Sequence, residues 1–306
     1  MDRSTRIAVV GSANVDLTVF TSVVPRAGET VLGETFQMSI GGKGTNQATA
    51  ARRAGSEVTM VTKVGDDSLA EFLRSHYRSE GIDTRYVATV PDCATGTATI
   101  IVDTNSGENR IVVASGANAA IGEADCFAAE AAIAEADALV LQLEIAPQAA
   151  LAAAKLAKRH GKLCILNPAP AAKLPKELFA CTDYFTPNET EAEFYTGIAI
   201  QTIDDAFRAG KALLELGIGC AVITLGALGA VLVREDLCVH VPTIAVEAVD
   251  TTGAGDCFNG VLAVALAEGL DEVAAVRRAA IAASLAVGVR GAAVSCPTRA
   301  AIDAAL

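Results

Sequence analysis

The sequence predicts an α/β fold: a doubly wound, mostly parallel sheet with helices on both faces, and a small β-sheet lid beside it. Three observations carry that prediction. From residue 124 onward, alanine-rich helical stretches alternate with short apolar runs of strand length, the order that builds a parallel sheet. Polar or glycine residues recur at or just past the ends of such runs, at Asn14, Glu144, Asn167, Asn188, Gly226 and Asp256. In open α/β sheets that edge is where ligands bind. Finally, residues 31–40 and 95–114 have strand character that the alternation does not use, so they are assigned to a separate sheet.

Taken in order, residues 7–11 are an apolar strand, followed by the polar turn Ser12-Ala13-Asn14-Val15-Asp16-Leu17. Asn14 and Asp16 are two apart, so in extended chain both side chains face one way. An amide beside a carboxylate can clamp vicinal hydroxyls, and an Asx-turn leaving the strand is the plainer explanation. Residues 18–30 are not helical, and 31–40 partly alternate as a strand. Gly41-Gly42-Lys43-Gly44-Thr45-Asn46-Gln47 then opens a helix assigned to 48–54. The Gly-x4-Gly-Lys-Ser/Thr spacing is missing, so this is not a Walker A loop. A Gly-Gly approach with Asn46 in the first turn suits a neutral polyol, or is simply a tight turn with a capped helix.

Glu57–Val64 is the next strand and 67–80 a helix. Strand character returns at Tyr86 and runs through a hairpin, 95–102 and 110–114, turning at 105–108. The lid is drawn from segments of about 17–40 and 86–114. Beyond it come helix 124–136, strand 138–143 ending in Glu144, and helix Pro147–Arg159. Strand Leu163–Leu166 ends in Asn167, and the short strand 184–186 leads to Asn188. Helix 206–216 precedes strand 220–225, which runs into Gly226-Ala227-Leu228-Gly229. No linker or composition shift divides the chain, so 1–306 reads as a single domain.

Composition narrows the function. Aromatics are 4% and tryptophan is absent, which disfavours base-stacking nucleic-acid modules. A net charge of −12 without any basic run argues against nucleic acid and anionic membranes as partners. No leader peptide or membrane span is legible. The eight cysteines are scattered without a CxxC pair, as expected of reduced, cytoplasmic thiols. The three histidines (His76, His160, His240) fall in helix or β-edge contexts away from the polar strand ends, so a hydrolase triad lacks its base. There is no HExxH motif, and Gly11 opens no GxGxxG pattern.

What remains is carboxylates, amides and glycines around Asp250-Thr251-Thr252-Gly253-Ala254-Gly255-Asp256. A β-like segment, 244–249, precedes it and an apolar helix follows at 261–267. A glycine-rich helix start presents free N–H groups and a positive dipole end to an anion. An aspartate in the same turn can take the proton of a hydroxyl that attacks phosphorus; an ordinary N-cap is the bland alternative. This inventory fits phosphoryl transfer from a magnesium nucleotide. Mg²⁺ keeps most of its waters, so Asn188, Glu189 and Glu191 would act through water, unless the two glutamates are only a solvated helix start.

The pair of stretches Gly41–Ala48 and Asp250–Asp256 resembles the two signatures of the PfkB-type, ribokinase-like carbohydrate kinases. Gly11-Ser12-Ala13-Asn14-Val15-Asp16 is similar to the ribokinase branch of that family, and the resemblance runs from Ile7 to Pro297. It implies a ribokinase-like fold and ATP-dependent phosphorylation of D-ribose at the 5-hydroxyl. Another pentose, a ketohexose or a nucleoside is the alternative substrate; a non-catalytic sugar-binding regulator is the remote one. By resemblance Asp256 is the general base and the N–H groups of Gly253, Ala254 and Gly255 the anion hole. Asn14, Asp16, Gly42, Lys43, Asn46 and Glu144 hold the sugar. Asn188, Thr224, Leu225, Gly226, Ala227, Leu228, Gly229 and Gly255 bind ATP. Asn188 and Glu191 match the element tied to Mg²⁺. Asp250 and Thr252, with Ala286, Val289, Gly291 and Ser295, match a K⁺ loop. One departure is Ala280, where members of the branch carry Asn or His near the adenine. The resemblance also implies a homodimer through the lids, whose apolar Val31, Phe36, Ile100 and Val112 would otherwise leave exposed edges.

Overall fold

The computed structural model describes residues 4–306. In chain order the first half contains β1 (Arg6–Val10), β2 (Asn14–Thr21), β3 (Thr35–Gly41), α1 (Lys43–Arg53), β4 (Glu57–Val64), α2 (Ser68–Glu80), β5 (Asp83–Thr89), β6 (Gly96–Asp103) and β7 (Asn109–Ala114). There follow α3 (Glu123–Ala128), α4 (Glu130–Glu135), β8 (Ala138–Leu141), α5 (Pro147–Arg159), β9 (Leu163–Leu166), α6 (Lys176–Phe179), β10 (Tyr184–Phe185), α7 (Glu189–Thr196) and α8 (Ile203–Leu214). The chain closes with β11 (Cys220–Thr224), β12 (Ala230–Val233), β13 (Cys238–Val241), α9 (Ala254–Ala267), α10 (Glu272–Val287) and α11 (Arg299–Ala305).

The large sheet has nine strands in the order β13-β12-β11-β10-β9-β8-β1-β4-β5. From β11 to β5 all neighbours are parallel, and β12 and β13 add antiparallel at one edge. The strands are apolar on both sides, as a sheet covered on both faces requires. In β1, Ile7 and Val9 enter one apolar cluster and Ala8 and Val10 the other; β8 divides likewise. Helices α1, α2, α9 and α10 supply the first cluster, α5 and α8 the second. The α1–α9 contact is especially close: a Cβ on Gly260 would stand 2.5 Å from the Gln47 carbonyl.

The small sheet has four strands in the order β3-β2-β6-β7. Its root lies at the site edge, because only residues 11–13 separate β1 from β2. β7 is exposed along its whole length.

The structure corrects several expectations. Asn14 and Asp16 open a lid strand rather than sit in a turn, paired with Gly41 and Ser39 of β3. Residues 86–89, expected in the lid, belong to β5, which pairs with β4 in the large sheet; the lid hairpin starts at Gly96. The helix expected at 48–54 begins five residues earlier, at Lys43. The helix at 124–136 is two short helices, α3 and α4. The β-like segment 244–249 forms no strand among the described residues; its Val249 N–H bonds the Val287 carbonyl at the end of α10, and most of the segment lines a cavity. The β12–β13 hairpin, α6, α10 and α11 went unread, and of α7 only the start was read.

Candidate active site

The C-terminal ends of the parallel strands and the starts of two helices converge on one pocket. α1 and α9 share an unusual N-terminus. Each is preceded by a glycine with positive φ, Gly42 at 85° and Gly253 at 77°, and neither has a side-chain cap. Several other helices start on capping side chains, such as Asp67, Thr202 and Asp271, and no other α-helix of the described residues is immediately preceded by a glycine of positive φ.

At the α1 start, the Glu144 carboxylate accepts from the Lys43 backbone N–H at 3.1 Å and from the Ser12 hydroxyl. The Gly44 N–H donates to Ser12 Oγ at 3.3 Å. Asn118, arriving after β7, accepts from the Ala13 N–H and donates through Nδ2 to Asn14 Oδ1 at 2.7 Å. That leaves the NH₂ as the uncommitted end of the Asn14 amide. Burial, with Glu144 and Asp256 nearby, pushes the Asp16 carboxyl up to about 7. Burial works against the Lys43 charge, but Asp256, Glu144 and Glu191 outweigh it and hold the ammonium above its ordinary value. Asn46 Oδ1 is buried without a partner, an acceptor that a ligand hydroxyl can satisfy.

Asp256 lies in the first turn of α9 and is buried. Its Oδ2 accepts from Asn46 Nδ2 at 2.8 Å and its Oδ1 from Gln47 Nε2 at 2.9 Å. Burial raises its pKa; Lys43 and the two amides oppose that rise. The Ala254 N–H reaches back to Thr251 O at 3.3 Å, while those of Gly253 and Gly255 have no acceptor among the described residues. A Cβ on Gly255 would meet no atom within 4 Å. The space above this turn is open.

Next to it lies a cleft of about 210 Å³ bordered by Lys43, Asn188, Glu191, Thr224, Gly255 and Asp256. It leads to an apolar cavity of about 400 Å³ whose walls include Gly226, Ala227, Gly229, Ile244, Val246 and Ala280. Thr243 Oγ1 donates to the Ala280 carbonyl at 2.9 Å and lies 2.7 Å from Ser284 Oγ. Asn188 bridges to Thr224 across the end of the sheet. Asn188 and Glu191 form a reciprocal capping box on α7, so the helix-start reading of these residues is correct as far as it goes. Glu191 still shares the pocket: burial raises its pKa, partly countered by the Asn188 N–H and Lys43. His240, expected away from this edge, places Nε2 2.7 Å from the Leu228 carbonyl, beside the 226–229 turn.

In the 250–295 region, Asp250 accepts from the Thr252 N–H and the Gly291 N–H, both at 2.9 Å. Burial opposes its charge, but these bonds prevail and hold its pKa below the ordinary value. Val289 N–H donates to Ala286 O at 3.0 Å, and Ser295 Oγ to Ala292 O at 2.8 Å. The structure thus brings the 250–252 and 286–295 stretches together beside the α9 start. The Ser295 hydroxyl hydrogen is committed to the backbone.

Sequence reasoning missed Ser12, Gln47, Asn118, Gln142, Thr243 and Asn259. Each is polar and buried or half-buried at this edge. The available signal was an amide or hydroxyl standing in an otherwise small, apolar run.

Comparison with known proteins gives the family. The chain matches the pfkB family carbohydrate kinase model over residues 4–299. It is 40% identical to the ribokinase of Haemophilus influenzae over 293 residues, 96% of this chain and 95% of that one. It is equally 40% identical to the deoxyribokinase of Salmonella typhi over 293 residues, 95% of each. The structure of Arabidopsis thaliana ribokinase complexed with ribose and ATP superposes with a TM-score of 0.92 at 32% identity, covering 99% of this chain and 98% of that one. A glycine-started helix carrying a buried aspartate, opposite a second that carries Lys43 and Asn46, is here joined to a family match over nearly the whole length: the chain belongs to the pfkB family of carbohydrate kinases.

Proposed function

We propose that the chain, as one ribokinase-like domain, phosphorylates D-ribose at its 5-hydroxyl with ATP as co-substrate. The observation that carries this is Asp256, fixed between two amide donors beside an open turn in which the Gly253 and Gly255 N–H groups have no acceptor among the described residues. Asp256 takes the proton of the sugar hydroxyl; the alkoxide oxygen attacks the γ-phosphorus, and ADP leaves. Gly253, Ala254 and Gly255 stabilise the charge on the moving phosphoryl group. Asn14, Asp16, Gly42, Lys43, Asn46 and Glu144 hold the sugar, with Asn14 donating and Asp16 accepting. Asn188 and the 224–229 stretch face the triphosphate, and the apolar cavity takes the base. With Ala280 in its wall, polar recognition there falls to Thr243 and Ser284.

Magnesium fits the half-buried Glu191 carboxylate and Asn188, acting through water; when bound it neutralises phosphate charge. A monovalent cation such as K⁺ fits the oxygen-only donors of Asp250, Thr252, Ala286, Val289, Gly291 and Ser295, where it would steady the turn before α9. The lids expose Phe36 at 60% and Val112 at 71%, which supports a homodimer paired through them. No helix among the described residues is long and apolar enough to cross a membrane, and the scattered free cysteines suit the cytoplasm.

The relatives at equal identity make 2-deoxyribose the competing substrate. Asn14 and Asp16 on one side of β2 favour a sugar with adjacent hydroxyls. An ADP-release screen over ribose, 2-deoxyribose, hexoses and nucleosides, with and without K⁺, separates the readings. Asp256→Asn should leave sugar binding largely intact and lower turnover by about two to four orders of magnitude. Turnover within a few-fold of wild type would remove Asp256 as the base.

A further inference from the structure

A row of buried amides crosses the site edge of the large sheet and ends on Asp256. Gln142 follows β8 and Asn167 follows β9, so they stand on neighbouring strands. Gln47 reaches over both from α1. Gln142 Nε2 donates to Gln47 Oε1 at 2.8 Å. Gln47 Nε2 donates to Asn167 Oδ1 at 3.2 Å and to Asp256 Oδ1 at 2.9 Å. Asn167 Nδ2 in turn donates to the Thr186 carbonyl at 3.0 Å.

Each bond decides which end of the next amide is donor and which acceptor. Gln142 occupies the Gln47 carbonyl, so the Gln47 NH₂ has to face Asp256. Gln142 is itself constrained, because a Cβ on Gly11 would stand 1.9 Å from its Oε1. Only glycine at 11 leaves room for that side chain. Gln142 Oε1 is buried without a partner, so the row carries an unsatisfied atom, a cost that packing alone does not offset.

We propose that Gln47 is a positioning residue for phosphoryl transfer: with Asn46 on the other oxygen it fixes the plane of the Asp256 carboxylate, and Gln142 acts through it by setting the orientation of its amide. This rests on Asp256 being the base. A base held by two fixed donors keeps its free lone pairs aimed at the sugar hydroxyl, and small losses of such aim are costly. The other groups facing Asp256 are Lys43 from α1, Glu144 after β8, Asp16 from β2 and Glu191 from α7. All stay in place when Gln47 is changed, so a difference in pH profile reports the lost donor.

The test measures single-turnover phosphorylation against pH for Gln47→Met, Gln142→Met and the double variant, with thermal melts as a folding check. For Gln47→Met the rate should fall about 10- to 100-fold, the scale of a hydrogen bond to a charged group, while KM for the sugar stays within about threefold. Its acid limb should move up by about one pH unit, since the ionised carboxylate has lost a donor. Gln142→Met should move both readouts the same way by less, and the double variant should be no worse than Gln47→Met alone. A rate loss with an unmoved acid limb, or additive effects in the double variant, would overturn the proposal. If Gln47→Met does not fold, Gln142→Met decides alone: an unmoved limb there overturns it. An Asp256→Asn enzyme that still turns over sinks the base assignment beneath it. An inactive Asp256→Asn beside an unaffected Gln47→Met sinks only the positioning role.

Discussion

The starts of α1 and α9 use the same elements for opposite ends. Each has a left-handed glycine before the helix and a second glycine at its second residue, Gly44 in α1 and Gly255 in α9. In α1 the N–H groups are used within the protein: Lys43 on Glu144, Gly44 on Ser12 Oγ, Thr45 on the Ser12 carbonyl. In α9 those of Gly253 and Gly255 have no acceptor among the described residues. The glycines differ in the same sense. A Cβ on Gly44 would stand 2.6 Å from the Ser12 carbonyl, whereas one on Gly255 would meet nothing. A glycine-rich helix start is therefore not one kind of site. The first commits its N–H groups within the protein; the second leaves its positive end free, as an anion site requires.

That contrast can be broken by one pair of substitutions. Gly255→Ala puts a methyl group into the open space above the turn, and its helical backbone accepts alanine. Turnover should fall about 10- to 100-fold, since the reacting groups must approach within a few tenths of an ångström of their productive position. Stability should rise by about 0.5–1 kcal/mol. Gly44→Ala should do the reverse in stability, costing about 1–3 kcal/mol for the forced backbone shift. Thermal or urea unfolding alongside ADP release reads both. A Gly255→Ala protein that is destabilised, or a Gly44→Ala protein as stable as wild type, would end the distinction.

The sequence also shows why the two starts looked alike. Glycine content and a following apolar run are visible in a string; whether an N–H is already bonded depends on Ser12 and Glu144, 101 residues apart in the case of Glu144 and Lys43. The parallel sheet was legible because β8, β9 and β11 are short apolar runs bounded by polar ends. The two-residue spacing placed Asn14 and Asp16 in extended chain, and the backbone there is extended, though as a lid strand rather than a turn. Residues 244–249 misled because apolar alternation does not distinguish a strand from a loop lining a cavity. The early start of α1 was hidden because Gly44 lowers helix propensity, and tertiary bonds supply what a capping side chain would. Gln47 and Gln142 were passed over because their partners lie on elements 95 to 209 residues away in the chain.

The smallest expected effect belongs to the sugar side and sharpens the same contrast, because it tests whether the α1 pocket is tuned for a neutral ligand. Asp16, Glu144 and Asp256 crowd it with carboxylates, and Asp16 carries a pKa of about 7. In the proposed binding mode the sugar hydroxyls need its ionised form as acceptor. KM for the sugar should therefore rise by about tenfold as pH falls from 8 to 6, each pH unit below the pKa costing up to a factor of ten. The linkage to stability has the opposite sense. A carboxyl whose pKa is raised on folding binds more protons in the native state than in the unfolded one, so its contribution is full below about pH 4 and is lost as pH rises through about 7. Asp16→Asn should thus bind sugar weakly at every pH, lose the KM dependence, and melt higher than wild type at pH 8 without sugar. Lys43 stays charged throughout this window and cannot mimic the effect. A wild-type KM that is flat from pH 6 to 8, or an Asp16→Asn protein less stable than wild type at pH 8, would mean that the Asp16 carboxylate is already ionised and paired before the sugar arrives.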